Sequence, residues 1–138
     1  MTAAPESPPR VLIADDEPDA LMFMSMVLEG AADIVAEASD GLEAAQLAKS
    51  AQPDVAVLDL RMPGMGGLEA ARAIKESLPL TQVLILTAYD DPSLEKEASK
   101  EGVYAYLIKG CSQELIRDMV GSAYRYKRSL ELGGFEPS

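Results

Sequence analysis

The sequence contains no histidine, which removes the commonest general base, the commonest zinc ligand and any phosphohistidine formed on this chain itself. A Ser-His-Asp triad is impossible. Cys111 is the only cysteine, so there is neither an internal disulfide nor a thiolate cluster for a metal, a usage suited to a reducing cytoplasm. Basic residues are scarce: Lys and Arg number 12 against 23 Asp and Glu, and a formal charge of -11 repels nucleic-acid phosphates and anionic lipid heads alike. Long apolar runs are missing too. The stretch around Met22 to Met24 is interrupted by Ser25 and Glu29, far short of a membrane span, and Met1 to Pro9 lack the basic-then-apolar order of a signal peptide. The expectation is a cytoplasmic chain that contacts neither nucleic acid nor membrane directly.

What is present is one domain's worth of chain: 138 residues, 48% apolar and 25% charged, enough for a single core. Residues 1–9, rich in proline with nothing to bury, read as a disordered leader. Residues 10–128 carry the folded pattern, and 129–138, with Gly133-Gly134 and Pro137, read as a tail or the start of a linker. Within the domain, short apolar runs at Val11–Ala14, Ile34–Ala36, Val55–Leu58, Val83–Leu86 and Tyr104–Ile108 have strand length. Between and after them, helical spacing covers Ala20–Glu29, Gly41–Ala51, Gly67–Ser77, Pro92–Glu101 and Ser112 to about Arg128. Strict alternation with crossovers of this length requires parallel strands, and near-continuous apolar strands require cover on both faces. The predicted architecture is a doubly wound α/β domain with five parallel strands and five helices.

In such a sheet, ligands bind beyond the carboxyl ends of the strands. Those ends are polar here: Asp15-Asp16-Glu17 after the first strand, Asp59 after the third, Thr87 after the fourth and Lys109 after the fifth. Carboxylates crowded from two strands repel one another, which either raises a pKa or calls for a cation, and Mg²⁺ prefers this hard donor set. Asp59 follows four apolar residues at the mouth of the central strand, a rigid and ligand-facing position suited to a nucleophile. A carboxylate that attacks a phosphoryl group needs a cation on its oxygens, a second positive charge such as Lys109 and a hydroxyl such as Thr87.

These residues resemble the receiver domain of two-component response regulators. The resemblance covers about Arg10 to Tyr126 and rests on Val11-Leu-Ile-Ala-Asp-Asp-Glu-Pro18, Asp54-Val-Ala-Val-Leu-Asp-Leu-Arg-Met-Pro-Gly64, Leu84-Ile-Leu-Thr-Ala88 and Tyr104-Ala-Tyr-Leu-Ile-Lys109. It implies a flavodoxin-like sheet of strand order 2-1-3-4-5, and a phosphoryl group accepted on Asp59 from a sensor histidine kinase or a histidine phosphotransfer protein. It further implies that Asp16, Asp59 and the backbone carbonyl of Arg61 bind Mg²⁺ with Asp15 acting through water, that Thr87 and Lys109 hold the phosphoryl oxygens, and that Thr87 with Tyr106 forms a switch. Such a domain is a phosphorylated signalling switch, not an enzyme beyond its own phosphorylation and dephosphorylation, and a homodimer on phosphorylation is among its partners. Arg61 and Tyr89, each two residues past a site residue, border the path of the hydrolytic water in the resembled family and are expected to tune lifetime. The Tyr-Leu-Ile-Lys-Gly stretch is similar to receivers attached to helix-turn-helix outputs of the NarL type. One departure concerns Lys109-Gly110: the family often has proline after this lysine in a cis peptide, so this bond is expected either trans or cis at a cost of about 2.5 to 4 kcal/mol.

Taken singly, each feature has a plainer explanation. Asp15-Asp16-Glu17 could cap a helix, Thr87 could be an ordinary strand residue, Lys109 a solvated charge and Tyr106 a half-buried core aromatic. The ordered set outweighs them. An aspartyl-phosphate phosphatase or phosphotransferase is the competing enzyme, but the haloacid dehalogenase type places a second aspartate two residues after the nucleophile, where this chain has Arg61. A flavodoxin-like cofactor carrier would need a phosphate-welcoming first loop, which Asp15-Asp16-Glu17 is not. A scaffold receiver that is not switched by phosphorylation is opposed by the intact acidic set.

The first helix carries one more expectation. Helical spacing assigns Ala20, Phe23, Met24, Val27 and Leu28 to the core, leaving Leu21, Met22, Ser25 and Met26 outward. Leu21, Met22 and Met26 are therefore candidates for a docking surface toward a helical partner.

Overall fold

The computed structural model describes residues 7–133. Five strands, β1 (Arg10–Ala14), β2 (Asp33–Ala38), β3 (Val55–Leu58), β4 (Gln82–Thr87) and β5 (Ala105–Ile108), alternate with α1 (Pro18–Leu28), α2 (Gly41–Ala51), α3 (Gly67–Ser77), α4 (Pro92–Lys100) and α5 (Gln113–Glu131). All pairings are parallel, as the alternation predicts, and the order is β2-β1-β3-β4-β5, the one the resemblance implies. β3 is central and wholly buried.

Alternation along the strands divides the core in two. Leu12, Ala14, Ala56, Leu58, Val83 and Ile85 face one side, where Ala44, Ala48, Ala70, Ala71, Ile74 and Ala98 cover them from α2, α3 and α4. Val11, Ile13, Val55, Val57, Leu84 and Leu86 face the other, against Met24, Val27 and Leu28 of α1 and Ile116, Val120, Ala123 and Tyr124 of α5. Cap residues fix three helix starts: Asp40, Asp91 and Ser112 accept from the N–H groups of Glu43, Ser93 and Leu115. No helix among the described residues is long and apolar enough to cross a membrane.

Several boundaries move. β2 extends one residue before Ile34 and two past Ala36, and β4 gains Gln82 and Thr87. Tyr104 precedes β5, its N–H already bonded to Val83. α1 begins earlier, at Pro18, because proline fits the first helical turn, and it stops at Leu28. α4 ends at Lys100 and α5 starts at Gln113. α5 continues to Glu131, three residues into the stretch read as a tail, with Lys127 bonded to Glu131 one turn on. Pro9, assigned to the leader, is buried, and its carbonyl accepts the Asp33 N–H at 2.8 Å. Residues 1–6 of the leader, and the tail from Gly134, lie outside the described residues.

The α1 assignment is also corrected. The buried stripe is centred on Met24, Val27 and Leu28, so Leu21, one turn before Met24, leans inward and packs against the α1/α5 core. Phe23 turns out instead, 43% exposed, while Met22 and Met26 are 64% and 67% exposed as expected. Ser25 is half-buried.

Candidate functional site

The parallel ladder delivers the polar residues to one edge. Asp15 and Asp59 continue it just past their strands, through Asp15 N–H to the Ala38 carbonyl and Asp59 N–H to the Ala14 carbonyl, and Lys109 N–H bonds the Thr87 carbonyl. Asp15 and Asp59 are buried and Asp16 is exposed, with carboxylate oxygens from all three within 4.8 Å of one another. Each buried carboxylate commits one oxygen to a nearby N–H: Asp15 Oδ1 accepts from Glu17 at 3.0 Å, and Asp59 Oδ1 from Leu60 at 2.9 Å. The remaining oxygens face Lys109, whose Nζ lies 2.8 Å from Asp15 Oδ2 and 3.7 Å from Asp59 Oδ2.

Electrostatics follow from this crowding. Burial, and then the charge of Asp15, push the Asp59 carboxyl up from its ordinary value, while Lys109 and the Leu60 N–H pull it back. Burial works against the Lys109 charge, but the bond to Asp15 and the Asp59 charge outweigh it and raise its pKa. A site with three carboxylates and one ammonium keeps an excess of negative charge. A hard divalent cation fits the oxygen-only donor set.

Thr87 is fully buried at the end of β4, and its Oγ1 accepts the Tyr89 N–H at 3.3 Å. Tyr106, half-buried on β5, donates its hydroxyl to the Tyr89 carbonyl at 2.5 Å. The Arg61 guanidinium, reaching from the β3–α3 loop, lies 4.7 Å from the centre of the Tyr89 ring. The structure thus brings Asp15, Asp16, Asp59, Thr87 and Lys109 together, and sets Arg61, Tyr89 and Tyr106 beside them as a second group. The Lys109-Gly110 peptide is trans, and Gly110 adopts φ 102°, a turn that proline's fixed negative φ cannot make.

Two glycines that the sequence marks only as helix starts hold the Asp59 loop. Gly67 N–H donates to the Leu60 carbonyl and Gly41 N–H to the Met65 carbonyl. A Cβ on Gly67 would sit 2.2 Å from the Asp59 carbonyl oxygen, and one on Gly41 2.1 Å from that of Met65. Backbone cannot yield at such distances. The available signal was glycine, a poor helix former, opening two helices.

Beside the site runs a groove of about 240 Å³ between α1 and the β5–α5 turn, with Ala20, Phe23, Met24, Leu86 and Ile116 as its apolar lining. Asp15, Glu17, Asp19 and Lys109 edge it. Met22 and Met26 open instead on a shallower surface beside β2, and Leu21 reaches neither. Phe23 is the site-adjacent residue that helical spacing misassigned.

Comparison with known proteins agrees with this fold. Residues 11–121 match the response regulator receiver domain. The oxygen regulatory protein NreC of Staphylococcus carnosus is 39% identical over 119 residues, 84% of this chain and 55% of NreC. The transcriptional regulatory protein NarL of Mycobacterium tuberculosis is 35% identical over 117 residues, 83% of this chain and 54% of NarL. The solved receiver domain of that NarL superposes with a TM-score of 0.83, covering 87% of this chain and 98% of the domain. The chain spans about half the length of the curated relatives it matches.

Proposed function

Because the chain belongs to the response regulator receiver domain family, we propose that it takes up a phosphoryl group on Asp59 from a histidine of a partner protein. The observation that carries this reading is the convergence on Asp59: one oxygen is fixed by the Leu60 N–H and the other lies 3.7 Å from the Lys109 ammonium. In the transfer, the free Asp59 oxygen attacks phosphorus as the P–N bond to the donor imidazole breaks, and the bonding pair leaves with the nitrogen. Lys109 and the Thr87 hydroxyl hold the phosphoryl oxygens. Asp16, Asp59 and the Arg61 carbonyl would hold Mg²⁺, with Asp15 acting through water, and the bound ion would offset negative charge on the phosphoryl oxygens.

The donor is a sensor histidine kinase or a histidine phosphotransfer protein, since this chain has no histidine of its own. The chain is a cytoplasmic switch that assists only its own phosphorylation and dephosphorylation. Phosphorylation draws the Thr87 hydroxyl toward the phosphoryl group, away from the Tyr89 N–H it now meets, and this shifts Tyr106 and the face formed by α4, β5 and α5. A homodimer formed through that change is one outcome. The phosphatase alternative finds no support at Arg61, a guanidinium side chain over the Tyr89 ring where a proton-shuttling carboxylate would be needed.

Acetyl phosphate with Mg²⁺ should label the wild-type chain with one phosphoryl group, and Asp59→Asn should abolish the label. Unchanged labelling of Asp59→Asn, or labelling indifferent to chelation of divalent ions, would exclude the assignment.

A further inference from the structure

Residues 88–91, which join β4 to α4, are all exposed, so apolar burial does not fix this loop's position. Polar and ring contacts fix it instead, and three of them meet at one residue. Tyr89 presents its ring to the Arg61 guanidinium at 4.7 Å, its carbonyl to the Tyr106 hydroxyl at 2.5 Å and its N–H to Thr87 Oγ1 at 3.3 Å. Tyr89 is 44% exposed, and its ring lies under the Arg61 guanidinium. Each contact leads to a different part of the site: Arg61 stands two residues after Asp59, Thr87 ends β4, and Tyr106 lies on β5.

We propose that Tyr89 is a positioning residue that couples Arg61 to Tyr106, so that the side chain beside the approach to Asp59 also biases the switch. This rests on the reading of Asp59 as phosphoacceptor for its biological meaning, though not for its geometry. Arg61 holds the ring, the ring fixes the Tyr89 backbone, and the carbonyl of that backbone is what Tyr106 binds. When Arg61 swings off the ring, the carbonyl loses its fixed position and the Tyr106 hydroxyl loses its partner. Hydrogen bonds from Ser93 hold the Asp91 carboxyl below its usual range, with smaller contributions from the Leu94 N–H and the Arg61 charge. The coupling runs through one discrete contact chain, so a mutant cycle can test it.

The test uses the full chain carrying fluorotyrosine at its five tyrosines, without any phosphoryl donor, with Tyr106→Phe assigning the Tyr106 resonance. Arg61→Met should move the Tyr106 equilibrium away from its Tyr89-bound position by roughly two- to fivefold, the range expected for loss of an exposed cation–π contact. Arg61→Lys, which keeps a cation for the ring, should give a smaller shift, and Tyr89→Phe, which keeps ring and carbonyl, should match wild type. In a Tyr89→Ala background, Arg61→Met should leave Tyr106 where it was. Unchanged Tyr104 and Tyr126 resonances report an intact fold in each variant. A Tyr106 signal indifferent to Arg61→Met would overturn the proposal, as would an equal shift with and without the Tyr89 ring. Neither result bears on Asp59 labelling, and failure of that labelling would leave this measurement standing.

Discussion

Lys109 donates a hydrogen bond to Asp15 at 2.8 Å yet stays 3.7 Å from Asp59, so in the resting chain its charge is spent mainly on the neighbour of the proposed phosphoacceptor. Among the described residues, the buried Asp15 carboxylate has one other hydrogen-bond donor, the Glu17 N–H. Lys109→Met should therefore cost stability on the order of 3 kcal/mol, by leaving a buried charge without its partner. It should also slow labelling by acetyl phosphate about a hundredfold or more, through loss of a donor aimed at the phosphoryl oxygens. Added Mg²⁺ should raise the melting temperature of the variant more than that of wild type. Equal shifts would mean that the cation does not substitute for the ammonium at the carboxylates.

A second prediction concerns how long the phosphoryl group lasts. The Arg61 guanidinium stacked on the Tyr89 ring joins the β3–α3 and β4–α4 loops across the edge of the site. This bulk should hinder or misalign an attacking water. In a decay assay after removal of donor, wild type should outlast the Arg61→Asn, Tyr89→Ala double variant several-fold. Equal or faster wild-type decay would contradict the assignment of these two residues to lifetime.

The main site was legible because a polar residue at the end of an apolar run is hard to mistake, and Asp15, Asp59, Thr87 and Lys109 are all of that kind. α2 and α3 were legible to the residue, since each opens on glycine and carries a regular alanine stripe. α1 was not. Its sequence Ala20-Leu-Met-Phe-Met-Ser-Met-Val-Leu28 is apolar nearly all round, so periodicity barely fixes its phase, and only packing on β1 decides that Leu21 turns in and Phe23 out. Contacts distant in sequence were illegible for another reason. Nothing local to Asp54 or to Lys127 announces a 2.8 Å bond between residues 73 apart.

That bond supports a prediction about stability. Lys127 Nζ donates to Asp54 Oδ1 and Glu131 Oε2, and Asp54 Oδ2 accepts the Arg10 N–H, so the last turns of α5 are tied to the base of β1 and β3. Lys127→Met should destabilise the fold at neutral pH by about 1.5–3 kcal/mol. Burial alone would lower the Lys127 pKa, but its bonds to Asp54 and Glu131 outweigh burial and raise it. A base whose pKa is higher folded than unfolded contributes fully below the unfolded value, and the contribution fades as pH rises through the folded value. The gap between wild type and Lys127→Met in urea titrations should thus be constant near pH 7 and narrow above about pH 10.4. Comparing the two proteins at each pH cancels Lys75, whose burial lowers its pKa and acts with the opposite sign. A gap that widens in alkali would show that the ion pair is not its source.

The last prediction concerns the surface through which the proposed histidine donor would reach Asp59. Phe23 stands at the groove between α1 and the β5–α5 turn, and Glu17 and Asp19 edge the same groove beside Asp15. Lys109 at the inner edge is bonded to Asp15, and no basic residue lies on α1, so the α1 side of the groove is apolar and acidic and suits a helix with an aliphatic side chain flanked by Lys or Arg. Met22 and Met26, one turn apart and largely exposed, extend an adaptable apolar face away from the groove. A donor helix laid along α1 could engage both. Leu21 was expected to share in this surface, but it packs inward, so its replacement would report on the core instead. Phe23→Ser together with Met22→Gln and Met26→Gln should slow transfer from a phosphorylated histidine phosphotransfer protein by at least tenfold, the equivalent of about 1.4 kcal/mol. Labelling by acetyl phosphate should persist, because a small donor needs no helix contact. Loss of both reactions would trace the effect to the fold, and retention of both would remove α1 from the docking surface.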